Sequence, residues 1–256
     1  MSEHALNTTS EPKPVAEVRG LKKSFGRVEA LRGVSLKIFA GEVLAIVGDN
    51  GSGKSTLISM ISGAQPPDEG TVLVDGVPYS RLTAAQALSA GISAVYQDLS
   101  LDNFRDAAAN IFLGNELTRW GFFLDRSKMR SICRQLLGEL DISIPDITRP
   151  VGEYSGGQRQ AVAVARAVLH GRRLVIFDEP TAAMGVRESA AVLKLIRQLA
   201  RRGMAVVIIC HNLHQVFDIA DRVCVMRRGK IITSLCACDT TLNDVQQIIM
   251  DADSID

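Results

Sequence analysis

The stretch GDNGSGKST, Gly48–Thr56, follows the apolar run Val43–Val47 and precedes a helical pattern that contains Leu57. It matches G-x-x-x-x-G-K-S/T, a pattern that is specific when a strand precedes it and a helix follows. The glycines let backbone N–H groups approach phosphate oxygens. In such a loop Lys54 would reach the β- and γ-phosphates of a nucleotide, and the Ser55 hydroxyl would hold Mg²⁺. The residues assigned to this phosphate loop are Gly48, Asp49, Asn50, Gly51, Ser52, Gly53, Lys54, Ser55 and Thr56.

Short apolar runs that suit buried strands alternate with helical patterns along the chain. Continuous apolar runs bounded by glycine or charge are typical of parallel strands buried on both faces. The clearest helical patterns are Ser127–Leu140, which we expect to begin at a serine cap, and Arg187–Arg201. This alternation predicts an α/β fold with a mainly parallel sheet. The predicted strands are Ala16–Arg19, Val34–Ile38, Val43–Val47, Thr71–Val74, Ile92–Tyr96, Leu174–Phe177, Ala205–Cys210, Arg222–Met226 and Lys230–Thr233.

The domain organisation follows from where these patterns stop. Residues 1–14 have no basic start and no apolar core, so we predict a flexible tail and not a signal peptide. Residues 15–256 are predicted to form a single domain. Within it, residues from about 98 to 156 lose the strand pattern, and we interpret them as an inserted helical subdomain. No apolar run approaches the ~18 residues that a membrane span needs.

Charge and cysteine content exclude some classes of protein. The formal net charge is +1, whereas nucleic-acid-binding domains usually have a basic excess, so we expect no nucleic-acid partner. Five cysteines without a C-x-x-C pair predict neither a disulfide framework nor a zinc site. Unpaired cysteines of this kind favour a reducing, cytoplasmic compartment.

The stretch RRLVIFDEP, Arg172–Pro180, supplies a second part of a nucleotide site. An apolar strand ends in two carboxylates. Asp178 stands where a carboxylate linked to Mg²⁺ is needed. Glu179 comes one residue later and faces the other way, so it can polarise an attacking water.

The stretch YSGGQ, Tyr154–Gln158, opens a helix rich in Val and Ala and has the form of a second phosphate-binding turn. The three motifs together resemble those of an ATP-binding-cassette (ABC) ATPase, the motor subunit of an ABC transporter, over roughly Val15–Thr233. The resemblance implies a P-loop NTPase with an antiparallel β subdomain and an inserted helical subdomain, and it implies ATP and Mg²⁺ as cofactors.

In this family two cassettes pack head to tail, and the signature turn of one covers the ATP of the other. Ser155, Gly156 and Gly157 would then contact the partner's ATP, and Gln158 would support the turn. Tyr154 replaces the leucine usual in the LSGGQ signature.

The resemblance assigns further residues one at a time. Phe25 matches the aromatic residue that stacks on adenine. Gln97 matches the glutamine that reaches Mg²⁺ and the attacking water. His211 matches the switch histidine that senses the γ-phosphate. The catalytic set is therefore Glu179, His211 and Gln97, and the metal set is Ser55, Gln97 and Asp178.

The loop after Glu179 departs from the family pattern, because Gly185 stands where an aspartate is common. This loop, TAAMGVRE, and the stretch Tyr96–Glu116 resemble the monosaccharide (ribose, xylose and fructose) importer ATPases. The resemblance implies an ATP hydrolase that couples ATP-driven dimerisation to solute uptake. Its partners would be a second cassette of the same sequence, in a homodimer, together with membrane permease subunits and, indirectly, a solute-binding protein. Its place would be the cytoplasmic face of the inner or plasma membrane.

Two alternatives remain open from the sequence. The same ATP site could serve a non-transport ABC ATPase, such as one in iron–sulfur cluster assembly, and stable co-purification with a permease would separate the two. A DNA-repair or translation cassette ranks last, because long coiled-coil insertions and basic linkers are absent. The segment TRWGFFL, residues 118–124, could dock on a permease or pack as local core.

Overall fold

The computed structural model describes residues 12–182 and 184–251. Residues 1–11, most of the predicted flexible tail, lie outside the described residues. The strands are β1 (Ala16–Phe25), β2 (Val28–Ile38), β3 (Val43–Val47), β4 (Glu69–Val74), β5 (Val77–Tyr79), β6 (Ile92–Val95), β7 (Thr118–Arg119), β8 (Phe123–Leu124), β9 (Leu174–Asp178), β10 (Ala205–Ile209), β11 (Arg222–Arg227) and β12 (Lys230–Cys236). The helices are α1 (Lys54–Ile61), α2 (Ala84–Ser89), α3 (Ala107–Ile111), α4 (Arg126–Glu139), α5 (Gly156–His170), α6 (Val186–Arg201), α7 (Leu213–Ile219) and α8 (Leu242–Asp251).

A six-stranded sheet with the order β12-β11-β3-β10-β9-β6 forms the centre of the described chain. The neighbours from β11 to β6 pair in parallel, and β12 joins the edge antiparallel to β11. Strands β3 and β10 are buried along their whole length, as their continuous apolar sequences predict. The predicted α/β fold with a mainly parallel sheet is confirmed.

A second sheet is antiparallel, has the order β2-β1-β4-β5 and packs on one side of the molecule. The alternation of side chains along β3 separates two hydrophobic cores. Leu44 and Ile46 face the core shared with the antiparallel sheet and α1. Val43, Ala45 and Val47 face the core shared with α4, α5 and α6. The central sheet therefore has both faces covered, which a parallel sheet requires.

The chain between β6 and α5 contains α3, α4 and a 3-10 turn, Val151–Glu153. Two details of the prediction for this segment are wrong. Strands do not stop here, because β7 and β8 form a short hairpin. Helix α4 begins after Asp125, not at a serine, because the Asp125 carboxylate accepts the Lys128 N–H at 2.9 Å and occupies the capping position.

The aromatic residues of the β7–β8 hairpin face solvent. Trp120 is 80% exposed and Phe122 is 90% exposed, which excludes the local-core interpretation for this segment. The turn places Trp120 and Gly121 at φ of 54° and 79°. None of the helices in residues 12–182 and 184–251 has the length and apolar character to cross a membrane.

The expectation that the cysteines are unpaired is wrong for two of them. Cys236 and Cys238 are joined in a disulfide at the end of β12, whereas Cys133, Cys210 and Cys224 are free and buried. A spacing of two residues gave no disulfide signal in the sequence, but the turn after β12 brings the two sulfur atoms together.

Candidate functional site: a phosphate loop and a separate signature turn

The phosphate loop is held between β3 and α1 by close backbone contacts. Gly48 has φ of 145°, and a Cβ built there would lie 2.0 Å from the carbonyl oxygen of Met226. Gly53 has φ of 102°, and a Cβ there would lie 2.5 Å from the carbonyl oxygen of Ala30. The loop therefore depends on glycine at these two positions, because a side chain has neither the space nor an easy conformation.

Lys54 is buried within this loop at the first position of α1. Its Nζ donates to the carbonyl oxygens of Gly48 and Asp49, both at 2.8 Å. Burial lowers the pKa of Lys54, and the charges of Asp49, Glu179 and Asp178 oppose that shift. No side chain caps the start of α1, so its first N–H groups remain available for an anion.

Two carboxylates and a histidine lie beside the loop at the carboxyl ends of β9 and β10. Glu179 has φ of 52°, and its N–H donates to the carbonyl oxygen of Ile209 at 3.0 Å. Its Oε1 lies 2.5 Å from Nε2 of His211. Burial first, and then the charge of Glu179, raise the pKa of Asp178. A half-buried carboxylate with a second carboxylate beside it suits a bound cation.

Three of the predicted site residues, Gln97, Phe25 and Ser55, are exposed. Gln97 is exposed in the loop after β6, and within residues 12–182 and 184–251 it makes no hydrogen bond to the phosphate loop or to Asp178. Phe25 lies at the end of β1 and is 47% exposed, and the Lys23 ammonium lies 5.8 Å from its ring centroid. The exposed Ser55 is at the start of α1. The ligand roles of these three residues stay predictions.

The signature turn has its own internal hydrogen bonds. The Ser155 hydroxyl accepts the Gln158 N–H at 3.3 Å, and the Gln158 side chain accepts the Ser155 N–H at 3.0 Å. This reciprocal pair is a capping box at the start of α5. Gly156 is exposed, and a Cβ built there would meet nothing within 4 Å. Nothing in the described part of this chain therefore requires glycine at position 156.

Tyr154 and Glu188 support the signature turn through contacts that the sequence did not predict. Tyr154 donates its hydroxyl to the carbonyl oxygen of Asp146 at 2.8 Å, and burial raises the pKa of Tyr154 to about 12. Glu188 of α6 lies against Gly157, with its Cγ 3.3 Å from a Cβ built there. Its carboxylate also accepts the Gly185 N–H at 2.9 Å. Helix α6, which follows the loop where Gly185 replaces the usual aspartate, therefore borders the signature turn. The spacing of these residues in the sequence does not indicate this contact.

The phosphate loop and the signature turn line different cavities. The first cavity, about 250 Å³, is lined by Gly48, Asp49, Asn50 and His211, and also by Ile249 of α8, which the sequence interpretation did not assign to the site. The second, about 390 Å³, is lined by signature residues and by residues of α6. Within the described part of the chain, the phosphate loop and the signature turn therefore do not line one common pocket.

A buried lysine in a glycine loop, next to a carboxylate pair on parallel strands, defines a P-loop nucleotide-binding protein. The sequence profile of the ABC transporter family matches residues 31–182, more than half of the chain. The chain belongs to the ABC transporter family.

Sugar import ATP-binding proteins from several organisms resemble this chain over nearly its whole length. The fructose import ATP-binding protein FrcA of Rhizobium meliloti is 44% identical over 239 residues, covering 91% of this chain and 92% of that protein. The xylose/arabinose import ATP-binding protein XylG of Sulfolobus acidocaldarius is 46% identical over 233 residues, with the same coverages. A ribose import ATP-binding protein of Escherichia coli O157:H7 is 38% identical over 222 residues, and the chain spans only 44% of its length.

Solved structures show the same fold. A nucleotide-free ATP-binding cassette from an ABC transporter superposes with a TM-score of 0.81 at 27% identity, covering 91% of this chain and 97% of that one. The ADP conformation of another ABC transporter cassette superposes with a TM-score of 0.77 at 26% identity, covering 93% and 96%.

Proposed function

We propose that this chain is the ATP-hydrolysing subunit of an ABC importer and that two copies close on ATP to drive uptake of a monosaccharide. The fructose and xylose/arabinose import ATP-binding proteins support the substrate class, because they match this chain over nine-tenths of its length. The phosphate loop and the signature turn line separate cavities, and this separation supports the proposal that two copies form the complete site.

The residues of the phosphate loop fit ATP and Mg²⁺. Lys54 is buried against loop carbonyls in a position to donate to phosphate oxygens. The raised pKa of Asp178 fits a carboxylate that a cation would stabilise, and we assign Mg²⁺ to Asp178 with Ser55 and Gln97. Mg²⁺, when bound, would neutralise charge that develops on the phosphate oxygens during phosphoryl transfer.

Glu179 is the proposed general base for the attacking water. Its carboxylate would accept the proton of that water while the water attacks the γ-phosphate. His211 contacts the same carboxylate and would hold its orientation. The left-handed backbone of Glu179 fits a functional position, because such strain persists where the surrounding structure imposes it.

Gly156 supports a signature that acts on the nucleotide of a second chain. The chain itself leaves the space around Gly156 open, so the absence of a side chain there serves something outside the described residues. The capping box occupies the Gln158 N–H and leaves the Gly156 and Gly157 N–H groups for a phosphate, with no side chain in front of them. We therefore assign Ser155, Gly156, Gly157 and Gln158 to the ATP of the partner chain.

A mixing experiment tests this assignment. Lys54→Ala removes the phosphate contact of one chain, and Ser155→Arg blocks the signature turn of another. Each variant alone would lack intact sites, whereas a mixed dimer would place both defects in one shared site and leave the other intact. Equal mixing should restore about a quarter of the wild-type sites. The readout is ATP hydrolysis by the mixture against the sum of the separate variants.

The control is a chain that carries both substitutions, mixed with Lys54→Ala. No intact site can form in that mixture, so its hydrolysis should stay at background. A Lys54→Ala and Ser155→Arg mixture that is no more active than its components would contradict the shared site.

We also propose that the helical segment from about 98 to 156 faces a membrane permease and that the β7–β8 hairpin is part of that contact. The exposed Trp120, Phe122 and Phe123 support it, because a soluble surface rarely keeps three neighbouring aromatic residues without a partner. This assignment places the chain at the cytoplasmic face of the membrane, with a solute-binding protein on the other side of the permease.

A photoreactive amino acid at Phe122 tests the permease contact in membranes of the source cells. It should crosslink to an integral membrane protein, while the same group at Val77, an exposed residue of the antiparallel sheet, should not. Equal crosslinking from both positions would contradict the hairpin contact. Absence of any membrane partner in a co-purification would favour the non-transport alternative.

A further inference from the structure

The end of β12 carries two exposed cysteines and an exposed aspartate in four consecutive residues. Cys236 is the last residue of the strand, and its disulfide to Cys238 closes around Ala237. Asp239 follows directly and is also exposed. None of these residues contributes to the phosphate loop or to the signature turn.

The three side chains offer one cluster of ligand atoms. The two Sγ atoms and a carboxylate oxygen of Asp239 all lie within 4.8 Å of one another. The backbone that carries them is tied down, because the Ala237 N–H donates to the carbonyl oxygen of Asp221 at 2.9 Å. The Asp239 N–H also donates to the carbonyl oxygen of Cys236 at 3.2 Å. The three groups therefore lie on one turn, whose backbone is hydrogen-bonded to the residue before β11.

The other cysteines provide an internal contrast. Cys133 and Cys224 are fully buried, and burial raises the pKa of Cys133 to about 11 and that of Cys224 to about 12. Cys210 is also buried, with its pKa raised by the same cause. Reactive thiols need exposure and thiolate character, so these three are inert in the folded chain. Exposed disulfides are the ones that cellular thiols reduce.

We propose that Cys236, Cys238 and Asp239 form a redox-gated binding site for a thiophilic divalent cation such as Zn²⁺. Two thiolates and one carboxylate are ligands that Zn²⁺ accepts, and a water would complete four-coordination. The reduced pair binds the cation and releases two thiol protons. The disulfide form has no thiolate to offer, so oxidation and metal binding exclude each other.

The redox step balances with ordinary cellular reagents. Hydrogen peroxide takes two electrons from the two thiols, its O–O bond breaks, the S–S bond forms, and two waters leave with the thiol protons. A thiol of the glutathione class reverses the step by thiol–disulfide exchange. Two such thiols give up two electrons, become a disulfide and leave Cys236 and Cys238 as free thiols.

The site lies at the end of the sheet away from the phosphate loop. Cys236 pairs with Arg222 at the start of β11, and Arg222 pairs with Leu44 near the start of β3. The phosphate loop follows Val47, at the other end of β3. Substitutions at the cysteine pair should therefore leave basal ATP hydrolysis unchanged, which separates a failure of this inference from a failure of the proposed function.

The test uses the full chain, reduced with a thiol, freed of reductant without air and titrated with Zn²⁺ alone against a chromophoric chelator. We expect one Zn²⁺ per reduced wild-type chain, and loss of that Zn²⁺ from Cys236→Ser and Cys238→Ser. Asp239→Asn should bind more weakly, while Asp218→Asn, an exposed carboxylate lining the adjacent cavity, should match the wild type. Peroxide should release the metal from the wild type and leave a disulfide that peptide mass spectrometry locates at residues 236 and 238.

Two outcomes would overturn the redox-gated site, and a third would overturn its three-ligand assignment. One is a reduced wild type that binds no Zn²⁺, or that binds it equally after both cysteines are replaced. The other is Zn²⁺ retained after peroxide has oxidised the pair, since oxidation would then not gate the site. Unchanged binding in Asp239→Asn would overturn the three-ligand assignment.

Discussion

The phosphate loop and the signature turn look alike in sequence, since each puts glycines and a serine before a helix, but the structure treats them differently. The loop before α1 is enclosed, with Lys54 buried and Gly48 pressed against the backbone of β11. The turn before α5 is exposed, and its glycine at position 156 has open space in front of it.

Their helix starts differ as well. No side chain caps α1, and its N–H groups are left for a ligand within the same chain. Helix α5 already has a capping box between Ser155 and Gln158, so it is stable without a ligand. The difference supports the proposal that the loop binds a phosphate within its own chain and that the turn contacts a phosphate held by a second chain.

The largest expected effect comes from Glu179→Gln, a substitution beside the phosphate loop. The substitution keeps the size and polarity of the side chain but removes the proposed base, so ATP hydrolysis should fall by about 10²–10⁴-fold. Nucleotide binding should be kept. Phosphate release and nucleotide titration measure the two effects separately.

The same variant should accumulate as a dimer with ATP and Mg²⁺, measured by size exclusion with light scattering. Adding Ser155→Arg to that chain should return it to a monomer. Hydrolysis at the wild-type rate in Glu179→Gln would remove Glu179 from the catalytic set.

Gly48→Ala should be the most damaging change to stability. Its methyl group would meet the Met226 carbonyl at 2.0 Å, in a backbone region that side chains avoid, so we expect a loss of about 3 kcal/mol or more. Denaturant unfolding measures it. Gly51→Ala is the matched control, since nothing lies within 4 Å of that position, and only backbone strain of about 1 kcal/mol should appear. Equal losses at the two positions would show that backbone conformation, and not close packing, dominates.

Gly156→Ala, in the signature turn, should leave stability intact but lower ATP hydrolysis. The chain has room for the methyl group, and alanine is the better helix former, so stability should be unchanged or rise by up to about 1 kcal/mol. Hydrolysis should nevertheless fall, because the methyl group would stand between the turn and the partner's phosphate. A variant that is as active as the wild type would contradict the role of the turn in a partner's site.

The smallest effect is expected from Tyr154→Phe, which removes one hydrogen bond under the signature turn. The free energy of unfolding should fall by about 1 kcal/mol, with ATP hydrolysis kept. The pKa of Tyr154 is raised to about 12, so the protonated hydroxyl is favoured in the folded chain. Its contribution should be fully present below the ordinary tyrosine value of about 10 and lost as pH rises towards 12. A difference between wild type and variant that changes between pH 6 and pH 9 would contradict this assignment.

Much of the fold was predictable because buried parallel strands have continuous apolar sequences. Strand β3 has the predicted bounds, and β9 and β10 differ from theirs by one residue. The antiparallel strand β1 extends to Phe25, beyond the predicted Arg19, because its outer face is solvated and its lysines hide the pattern. The hairpin β7–β8 was missed, since two-residue strands have no periodicity to detect.

The candidate site was predictable only where its residues are close in sequence. Lys54 and the pair Asp178 and Glu179 belong to local motifs, and the structure brings them together at the carboxyl ends of β3 and β9, the two strands on either side of β10. Ile249 could not be assigned to the phosphate-loop cavity, because α8 reaches it only through the packing of the whole chain. The contact of Glu188 with Gly157 was hidden for the same reason.

The amino-acid sequence alone determined the local chemistry of the protein. It showed which loop can hold a phosphate, which strand ends in carboxylates and which turn can start a capped helix. These properties depend on backbone freedom and side-chain types within a few neighbours, so spacing alone reveals them. Only the tertiary structure decided that the two phosphate-shaped turns face different cavities and that Gly156 is open. Those properties depend on how distant segments pack around two cores, and no local pattern records which surfaces that packing leaves exposed.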